Sequence, residues 1–185
     1  VGDAVVVNPA IPCGACARCR IGRSCELVKI FGAITPGGYA EYVSVPIAQL
    51  YAKPTHLSYV EAAAFPLTYL TAWHMLVSRA NLQRGETVFI WGASGGLGVA
   101  AVQLARSLGA VSIAAARSPA VAARLREIGA AQAVVYRGQE VVSAVREVAP
   151  DGVDVVFESI GAKTWATSLQ LLRPYGRVVI AGTTS

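Results

Sequence analysis

The sequence lacks the features that would place the protein in or across a membrane. No run approaches the roughly 20 apolar residues that a transmembrane helix needs. The N-terminal segment VGDAVVVNP has neither the basic start nor the apolar stretch of a signal peptide. At 185 residues and 54% hydrophobic content, the chain is predicted to be a globular, cytoplasmic protein without a membrane partner.

Methionine and histidine are scarce. The only methionine is Met75, so the sequence has no initiator residue, and it opens and closes on strand-like runs. We therefore expect a fragment of a longer polypeptide. His56 and His74 are the only histidines, and neither has a metal-ligating residue at suitable spacing, so neither is expected to bind a metal or to catalyse.

The charge pattern shows no clustering of one sign. The formal net charge is +5, but the basic residues are scattered and do not interleave with aromatic residues. This pattern predicts a solvated basic surface and no nucleic-acid partner.

Cysteine is absent from the chain except in one loop. Cys13, Cys16, Cys19 and Cys25 follow the spacing C-x2-C-x2-C-x5-C. Disulfides are disfavoured without a secretory signal, and iron–sulfur ligation lacks its usual last spacing and following proline. Four thiolates in a glycine-containing loop favour tetrahedral zinc. Because such a zinc has no coordination position left for water, its role is expected to be structural.

The two halves of the chain differ in composition and in the regularity of their hydrophobic pattern. Residues 1–56 are rich in Gly, Pro and Cys, with strands predicted at Ala4–Val7 and Ala40–Val45, which indicates part of a small β-rich lobe. From residue 57, Ser58 and Glu61 have capping-box spacing, and Pro66 is suited to open a second helix that runs to Ser78.

Apolar runs and helical stretches then alternate to the end of the chain, which predicts a doubly wound α/β domain over residues 57–185 with a parallel sheet covered on both faces. The predicted strands are 87–91, 111–115, 133–136, 153–157 and 177–181, and the predicted helices are 98–108, 119–128, 139–148 and 163–172.

A glycine-rich turn, WGASGGLG, joins the first of these strands to its helix. Ala93, Gly95 and Gly98 occupy the three positions of a dinucleotide-binding fingerprint, with alanine in the first. Gly95 and Gly96 would let the backbone approach a pyrophosphate, and Gly98 would let the helix pack closely on the strand. The alternative is a glycine turn that serves packing alone.

The residue that usually selects the cofactor follows the second strand. NAD-binding sheets carry an acidic residue there, but this chain has Ala116, followed by Arg117 and Ser118. A guanidinium and a hydroxyl suit a 2′-phosphate, which favours NADP(H) over NAD(H). The alternative is a surface arginine.

The four-cysteine loop, the capped helix and ASGGLG together resemble the zinc-type alcohol dehydrogenases of the medium-chain dehydrogenase/reductase superfamily, over essentially the whole chain. GGYAEYVSVP, LSYVEAAAFPLTYLTAW and DVVFESIG carry the same resemblance. It implies a doubly wound Rossmann sheet preceded by part of a GroES-like catalytic lobe. It also implies a structural zinc on the four cysteines, although the last cysteine spacing is two residues shorter than is usual.

The resemblance also implies where the cofactor would bind. Thr71 matches a position beside the nicotinamide, and Tyr136 matches a tyrosine near the adenosine phosphate in NADP-dependent quinone reductases, although it could equally cap a strand end. The predicted cofactor-binding residues are Thr71, Ser94, Gly95, Gly96, Leu97, Gly98, Arg117, Ser118, Tyr136, Ser159, Gly161, Gly182 and Thr183.

Leu67 stands where alcohol dehydrogenases with a catalytic zinc commonly carry a cysteine ligand. An aliphatic side chain cannot coordinate a metal, so the resemblance is to members that keep only the structural zinc, unless the ligand differs in this branch. No catalytic residue is assigned, because the family's remaining ligands would precede Val1.

The sequence thus predicts a zinc-binding, NAD(P)(H)-dependent oxidoreductase of an alcohol or carbonyl substrate, homo-oligomeric at full length. An NADPH-dependent quinone or enone reductase is the first alternative, and a non-catalytic cofactor-binding scaffold is the second. The sheet is expected to lack its sixth strand, and the chain by itself is expected to bind dinucleotide without turnover.

Overall fold

The computed structural model describes residues 2–136 and 140–182. The chain forms two compact units, Val1–Leu67 and Thr68–Ser185. The division falls inside a helix, further along the chain than the domain boundary predicted between residues 56 and 57. The capped helix that follows that boundary therefore groups with the N-terminal unit.

The N-terminal unit is built from short elements. Its regular backbone pairing consists of two antiparallel strand pairs, Val5–Val7 with Leu50–Ala52 and Ala10–Ile11 with Lys29–Ile30. The elements are β1 (Val5–Val7), β2 (Ala10–Ile11), α1 (Ala17–Arg20), β3 (Lys29–Ile30), a 3₁₀ turn (Ile47–Gln49), β4 (Leu50–Ala52) and α2 (Tyr59–Ala64).

The strand predicted at Ala40–Val45 is wrong. In the described part of the unit no strand pairs with this segment, and Tyr42 and Val43 are exposed. Alternating apolar residues favour a strand only where a neighbouring strand can pair with the backbone groups.

The start of α2 is confirmed by its capping box. The backbone amide of Ser58 donates to Glu61 Oε2 over 2.8 Å, and the amide of Glu61 donates to Ser58 Oγ over 3.3 Å. The next helix, α3 (Pro66–Trp73), begins at the predicted proline. It continues as a π-helical segment, His74–Arg79, in which the Ala80 amide donates to the carbonyl of Met75, five residues back.

The C-terminal unit has the predicted fold class. Its elements are β5 (Thr87–Ile90), α4 (Gly96–Ser107), β6 (Val111–Ala116), α5 (Pro119–Glu127), β7 (Gln132–Val135), α6 (Val141–Val148), β8 (Val153–Glu158), α7 (Ala162–Leu171) and β9 (Leu172–Ile180). Among the described residues, these five strands are parallel and lie in the order β7-β6-β5-β8-β9.

Strand β9 is longer than predicted. It begins at Leu172 instead of Arg177 and pairs with β8 through a register irregularity between Val153 and Val155. The first half of the strand contains Arg173, Pro174 and the exposed Tyr175, which has a φ of 66°. Exposed polar residues and a proline break the apolar pattern that indicates a buried strand.

The sheet is covered on both faces. Along β5, Val88 and Ile90 pack into one apolar cluster with α4 and α5, whereas Phe89 and the following Trp91 pack into a second cluster with α6. This alternation follows from the two-residue period of a strand. No helix in the described ranges is long and apolar enough to cross a membrane.

Charged groups join strand β9 to the amino ends of β5 and β8. Arg177 of β9 donates two hydrogen bonds to Glu86, just before β5, over 3.1 and 2.6 Å. Asp154 of β8 accepts from the Thr87 amide over 2.8 Å and forms an ion pair with Arg173. These contacts align β5, β8 and β9 at one edge of the sheet.

The Glu86–Arg177 pair generates a prediction for stability. Hydrogen bonding from Arg177, then from the Gln83 amide, lowers the pKa of Glu86 below its ordinary value of 4.5. A carboxyl whose pKa is lower in the folded protein than in the unfolded chain stabilises the fold at pH values above its unfolded-state pKa. This contribution is lost as the pH falls through its folded-state pKa. Glu86→Gln should therefore lower the free energy of unfolding by about 1 kcal/mol at neutral pH, since the arginine is partly exposed.

Urea unfolding of both proteins at pH 7 and at pH 3.5 would measure this. The difference should shrink in acid, and the same difference at both pH values would contradict a role for the ionised carboxylate. The control is Glu127→Gln on α5, because among the described residues Glu127 has no ion pair and no side-chain hydrogen bond.

Candidate functional site

The carboxyl edge of the sheet carries most of the predicted cofactor residues. The strand order reverses between β5 and β8, and in open α/β sheets the ligand crevice lies at such a reversal. The turns that follow these two strands lie side by side. A Cβ placed on Gly92 of the first turn would be 3.1 Å from Ser159 Oγ of the second. Both turns therefore border one site.

Two glycines shape the turn after β5. A Cβ on Gly98 would lie 2.3 Å from the Gly92 carbonyl oxygen and 2.5 Å from Ala93 Cα, so only glycine fits where α4 crosses the turn. Gly92 has a φ of 58°, a conformation that side chains disfavour. The fingerprint alignment missed Gly92, which could have been found as the glycine just after an apolar strand.

The residues between these two glycines form an open cradle. Ser94, Gly95 and Gly96 are exposed, and Leu97 is half-buried. Gly95 is the N-cap of α4 and provides no side chain to the first helical amides. The first amides of this 12-residue helix have no acceptor within the helix and, among the described residues, no side-chain cap. Such a helix start beside exposed glycines suits a pyrophosphate.

The end of β6 places Arg117 and Ser118 differently. Ala116 is buried and Arg117 is exposed. Ser118 is the N-cap of α5, where its Oγ accepts a hydrogen bond from the Val121 amide over 3.3 Å. Ser118 thus has a structural role of its own, and its role in cofactor binding stays a prediction.

Tyr136, at the end of β7, packs its ring edge-on against Trp91, with centroids 5.3 Å apart. This contact matches the alternative in which the tyrosine caps a strand end, and its role toward a cofactor stays a prediction.

A cavity of about 400 Å³ lies beside the end of β9. Thr71 and His74 line one side of it, and Ile180 and Ala181 line the other. Gly182 follows, exposed and with a φ of 71°. Thr183 lies outside the described residues. The structure therefore brings Thr71 to the end of β9, and its position beside a nicotinamide stays a prediction.

The four cysteines converge in the N-terminal unit. Their sulfur atoms all lie within 4.8 Å of one another, with Cys13 and Cys19 sulfurs 3.9 Å apart and Cys16 and Cys25 sulfurs 4.0 Å apart. Sulfurs about 2.3 Å from a central tetrahedral zinc are about 3.8 Å apart. The thiols therefore fit a four-thiolate zinc site, and in the described ranges this is the one group of three or more His, Cys, Asp or Glu side chains that could hold a metal.

Backbone amides favour the thiolate form in this cysteine cluster. Amides of Ala15 and Cys16 lower the pKa of Cys13, and amides of Cys19 and Glu26 lower the pKa of Cys16 to about 6. Desolvation within the crowded cluster raises the pKa of Cys19 to about 12. One dication would offset the cost of gathering four thiolates, and metal binding should weaken in acid as the thiols protonate.

Leu67 lines an apolar cleft of about 880 Å³ within the N-terminal unit, together with residues such as Val6 and Phe31. No Cys, His, Asp or Glu among the described residues lines this cleft. The surroundings of Leu67 therefore match an aliphatic side chain better than a metal ligand.

Comparisons with known proteins agree with this architecture. Residues 1–55 match the alcohol dehydrogenase GroES-like domain, and residues 96–185 match the zinc-binding dehydrogenase model. The chain belongs to the medium-chain dehydrogenase/reductase superfamily.

Relatives of this superfamily member are similar along most of its length. It is 35% identical to the human synaptic vesicle membrane protein VAT-1 homolog over 79% of this chain and 37% of that protein. The crystal structure of an NAD-dependent alcohol dehydrogenase is 37% identical with a TM-score of 0.93, over 100% of this chain and 56% of the other.

A third relative was solved with ligands. The 2-octenoyl-CoA carboxylase reductase CinF, in complex with NADP and 2-octenoyl-CoA, is 33% identical with a TM-score of 0.90, over 99% of this chain and 46% of that one. The superfamily member described here thus spans between about a third and just over half the length of these three relatives.

The glycine turn generates a paired prediction. Gly98→Ala should strongly destabilise the protein, because its Cβ would meet backbone atoms that cannot move aside. Gly95→Ala should fold normally, since its Cβ would be 3.4 Å from the nearest atom, but should weaken NADPH binding by filling the cradle. Thermal unfolding and NADPH titration of both variants would measure this, and normal NADPH binding by Gly95→Ala would argue against a pyrophosphate at this turn.

The cysteine cluster generates a second prediction. Purified protein should contain about one zinc per chain, and Cys25→Ser should lose it and loosen residues 12–28 while leaving the sheet intact. Structural zinc contributes on the order of 10 kcal/mol to folding in small finger peptides. Loss of the zinc should therefore strongly destabilise the cysteine loop while the effect stays confined to that loop. Elemental analysis and hydrogen exchange are the measurements, with Ser24→Ala as the control. A brown, iron-containing protein or a disulfide-bonded loop would contradict the zinc site.

Proposed function

We propose that the chain is the zinc-carrying and cofactor-binding part of an NAD(P)(H)-dependent oxidoreductase, which transfers hydride between a nicotinamide and an alcohol or carbonyl substrate. The observation that carries this is the exposed turn at residues 94–96, uncapped by side chains and located where the strand order reverses. Membership of the superfamily supports the same reaction class.

The glycine turn would bind and orient the cofactor. The first amides of α4 point at the open cradle and would donate to the pyrophosphate oxygens, and the helix dipole favours their negative charge. Thr71 and the end of β9 would then border the nicotinamide ring. The nicotinamide supplies the hydride chemistry when bound, so the residues of this chain have only to place and shield it.

The four cysteines would hold zinc in a structural role. Four thiolates complete a tetrahedral shell, which leaves no position for a substrate oxygen or a water molecule. The loop would depend on the metal for its shape, and the reaction would not pass through it.

A quinone or enone reductase is the second candidate function. The aliphatic cleft around Leu67 favours it, because no metal ligand at this position would polarise a substrate oxygen. One relative is a carboxylase reductase solved with NADP and 2-octenoyl-CoA, a thioester with an activated C=C bond. A cofactor-binding scaffold without turnover is the third.

Binding and activity measurements separate these candidates. NADPH titration of the chain tests the cofactor site, and activity assays of the longer protein against aldehydes, enones and quinones test the reaction. Two zinc ions per subunit in the longer protein would favour a catalytic zinc and argue against the present interpretation of Leu67. Cofactor binding without activity on any of the three substrate classes would favour the scaffold.

Cofactor choice generates a prediction about Arg117. The residue is exposed at the end of β6, where a 2′-phosphate would approach and where residues 115–118 include no carboxylate. NADPH should bind more tightly than NADH, and Arg117→Ala should weaken NADPH binding about tenfold to a hundredfold with little effect on NADH.

Arg124→Ala on the exposed side of α5 removes the same charge outside this edge and is the control. NADPH and NADH are each titrated against the wild type, Arg117→Ala and Arg124→Ala to test the role of Arg117 in cofactor choice. Equal losses for NADPH and NADH in Arg117→Ala would mean that Arg117 contributes no 2′-phosphate contact.

A further inference from the structure

One carboxylate is completely buried at the carboxyl edge of the sheet. Glu158, the last residue of β8, has 0% of its surface exposed. Its sequence position predicts no role for it, and it lies between the core and the turn at residues 159–161. Burying a carboxylate is costly unless hydrogen bonds stabilise it, so its partners indicate what it does.

Four donors converge on Glu158. Its Oε1 accepts hydrogen bonds from the amides of Ile160 and Gly161, over 2.7 and 3.2 Å, and from Thr164 Oγ1 over 3.0 Å. Its Oε2 accepts from Ser168 Oγ over 2.6 Å. Every described contact uses the Glu158 carboxylate as a hydrogen-bond acceptor.

Two of these bonds determine the shape of the turn. Gly161 has φ 112° and ψ −134°, a conformation that residues with side chains rarely adopt. The amides of Ile160 and Gly161 both point inward at Glu158. Because the backbone is held in this way, Ser159 lies with its hydroxyl next to Gly92 of the neighbouring turn.

The same carboxylate is linked to the first strand. Trp91 Nε1 donates to Ser168 Oγ over 2.8 Å, and Ser168 in turn donates to Glu158. Trp91 follows β5 and opens the glycine turn. A continuous hydrogen-bonded path therefore joins the turn after β5 to the turn after β8, through buried groups with fixed geometry.

We propose that Glu158 is a positioning residue that fixes the 159–161 turn as the wall for the nicotinamide half of the dinucleotide. The inference rests on the proposed cofactor-binding function. In a doubly wound sheet of this order the first three strands bind the adenosine half, and the strands beyond the reversal bind the other. Glu158 ends the first strand beyond the reversal, so its effect should be confined to the nicotinamide half.

Glu158→Gln tests this with little change of volume. The new NH2 group replaces a carboxylate oxygen and cannot accept a hydrogen bond. At least one donor to Glu158 would therefore lose its acceptor, and the turn would be held less firmly. NADPH and adenosine 2′,5′-bisphosphate, which has no nicotinamide, are titrated against the wild type and the variant. The dissociation constant for NADPH should rise roughly tenfold, and that for the bisphosphate should change less than about twofold.

The readout is the ratio of the NADPH dissociation constant to the bisphosphate dissociation constant. General destabilisation of the protein would weaken both ligands and leave this ratio unchanged. Asp154→Asn replaces the other buried carboxylate of β8, at the opposite end of the strand, and should leave the ratio unchanged. If Glu158→Gln does not fold, Thr164→Val removes a single donor to Oε1, and the NADPH constant alone should rise roughly threefold.

The outcomes distinguish the two hypotheses. Selective loss of NADPH affinity supports the positioning role. Equal loss for both ligands, or no loss in a folded variant, overturns that role while the cofactor-binding function stands. A wild-type protein that binds neither these two ligands nor NADH overturns the proposed function and the role of Glu158 with it.

Discussion

The close contact between helix α4 and the turn after β5 is the constraint on which the rest of the site depends. With no side chain on Gly98, the helix backbone lies against the carbonyl of Gly92 and the Cα of Ala93. Small buried residues such as Ala101 and Ala105 continue this contact along the helix. The first turn of α4 is thereby held at the sheet edge with its amides directed outward, and a larger residue at position 98 would move the helix away.

The two edges of the sheet are stabilised in different ways. At the amino edge, ion pairs of Glu86 and Asp154 with arginines of β9 align three strands. At the carboxyl edge, the described hydrogen bonds to the buried Glu158 come from neutral donors of its own turn and of α7. The carboxylate is satisfied internally, so the outer surface of the turn is left available for a ligand.

The N-terminal unit has little apolar core of its own. In its described part Ala62 is the one hydrophobic residue that is fully buried, while Ile21, Leu27 and Ile34 are largely exposed. A loop of this kind has few contacts to offset the entropy of ordering it, and a bound metal is a common way to stabilise such small units. The convergence of the four sulfurs is consistent with that dependence.

Local features of this protein were determined by the sequence alone. The capping box at Ser58, the helix start at Pro66 and the apolar strands of the sheet depend on neighbouring residues, and cysteine spacing is itself a local constraint. The strand at Ala40–Val45 was predicted wrongly and the first half of β9 was missed, because strands need partners that lie far away in sequence. The need for glycine at position 92 and the role of Glu158 were decided only by tertiary structure. Glu158 appears in the sequence as one acidic residue after an apolar strand, and its four donors meet only when β8, its turn and α7 pack together.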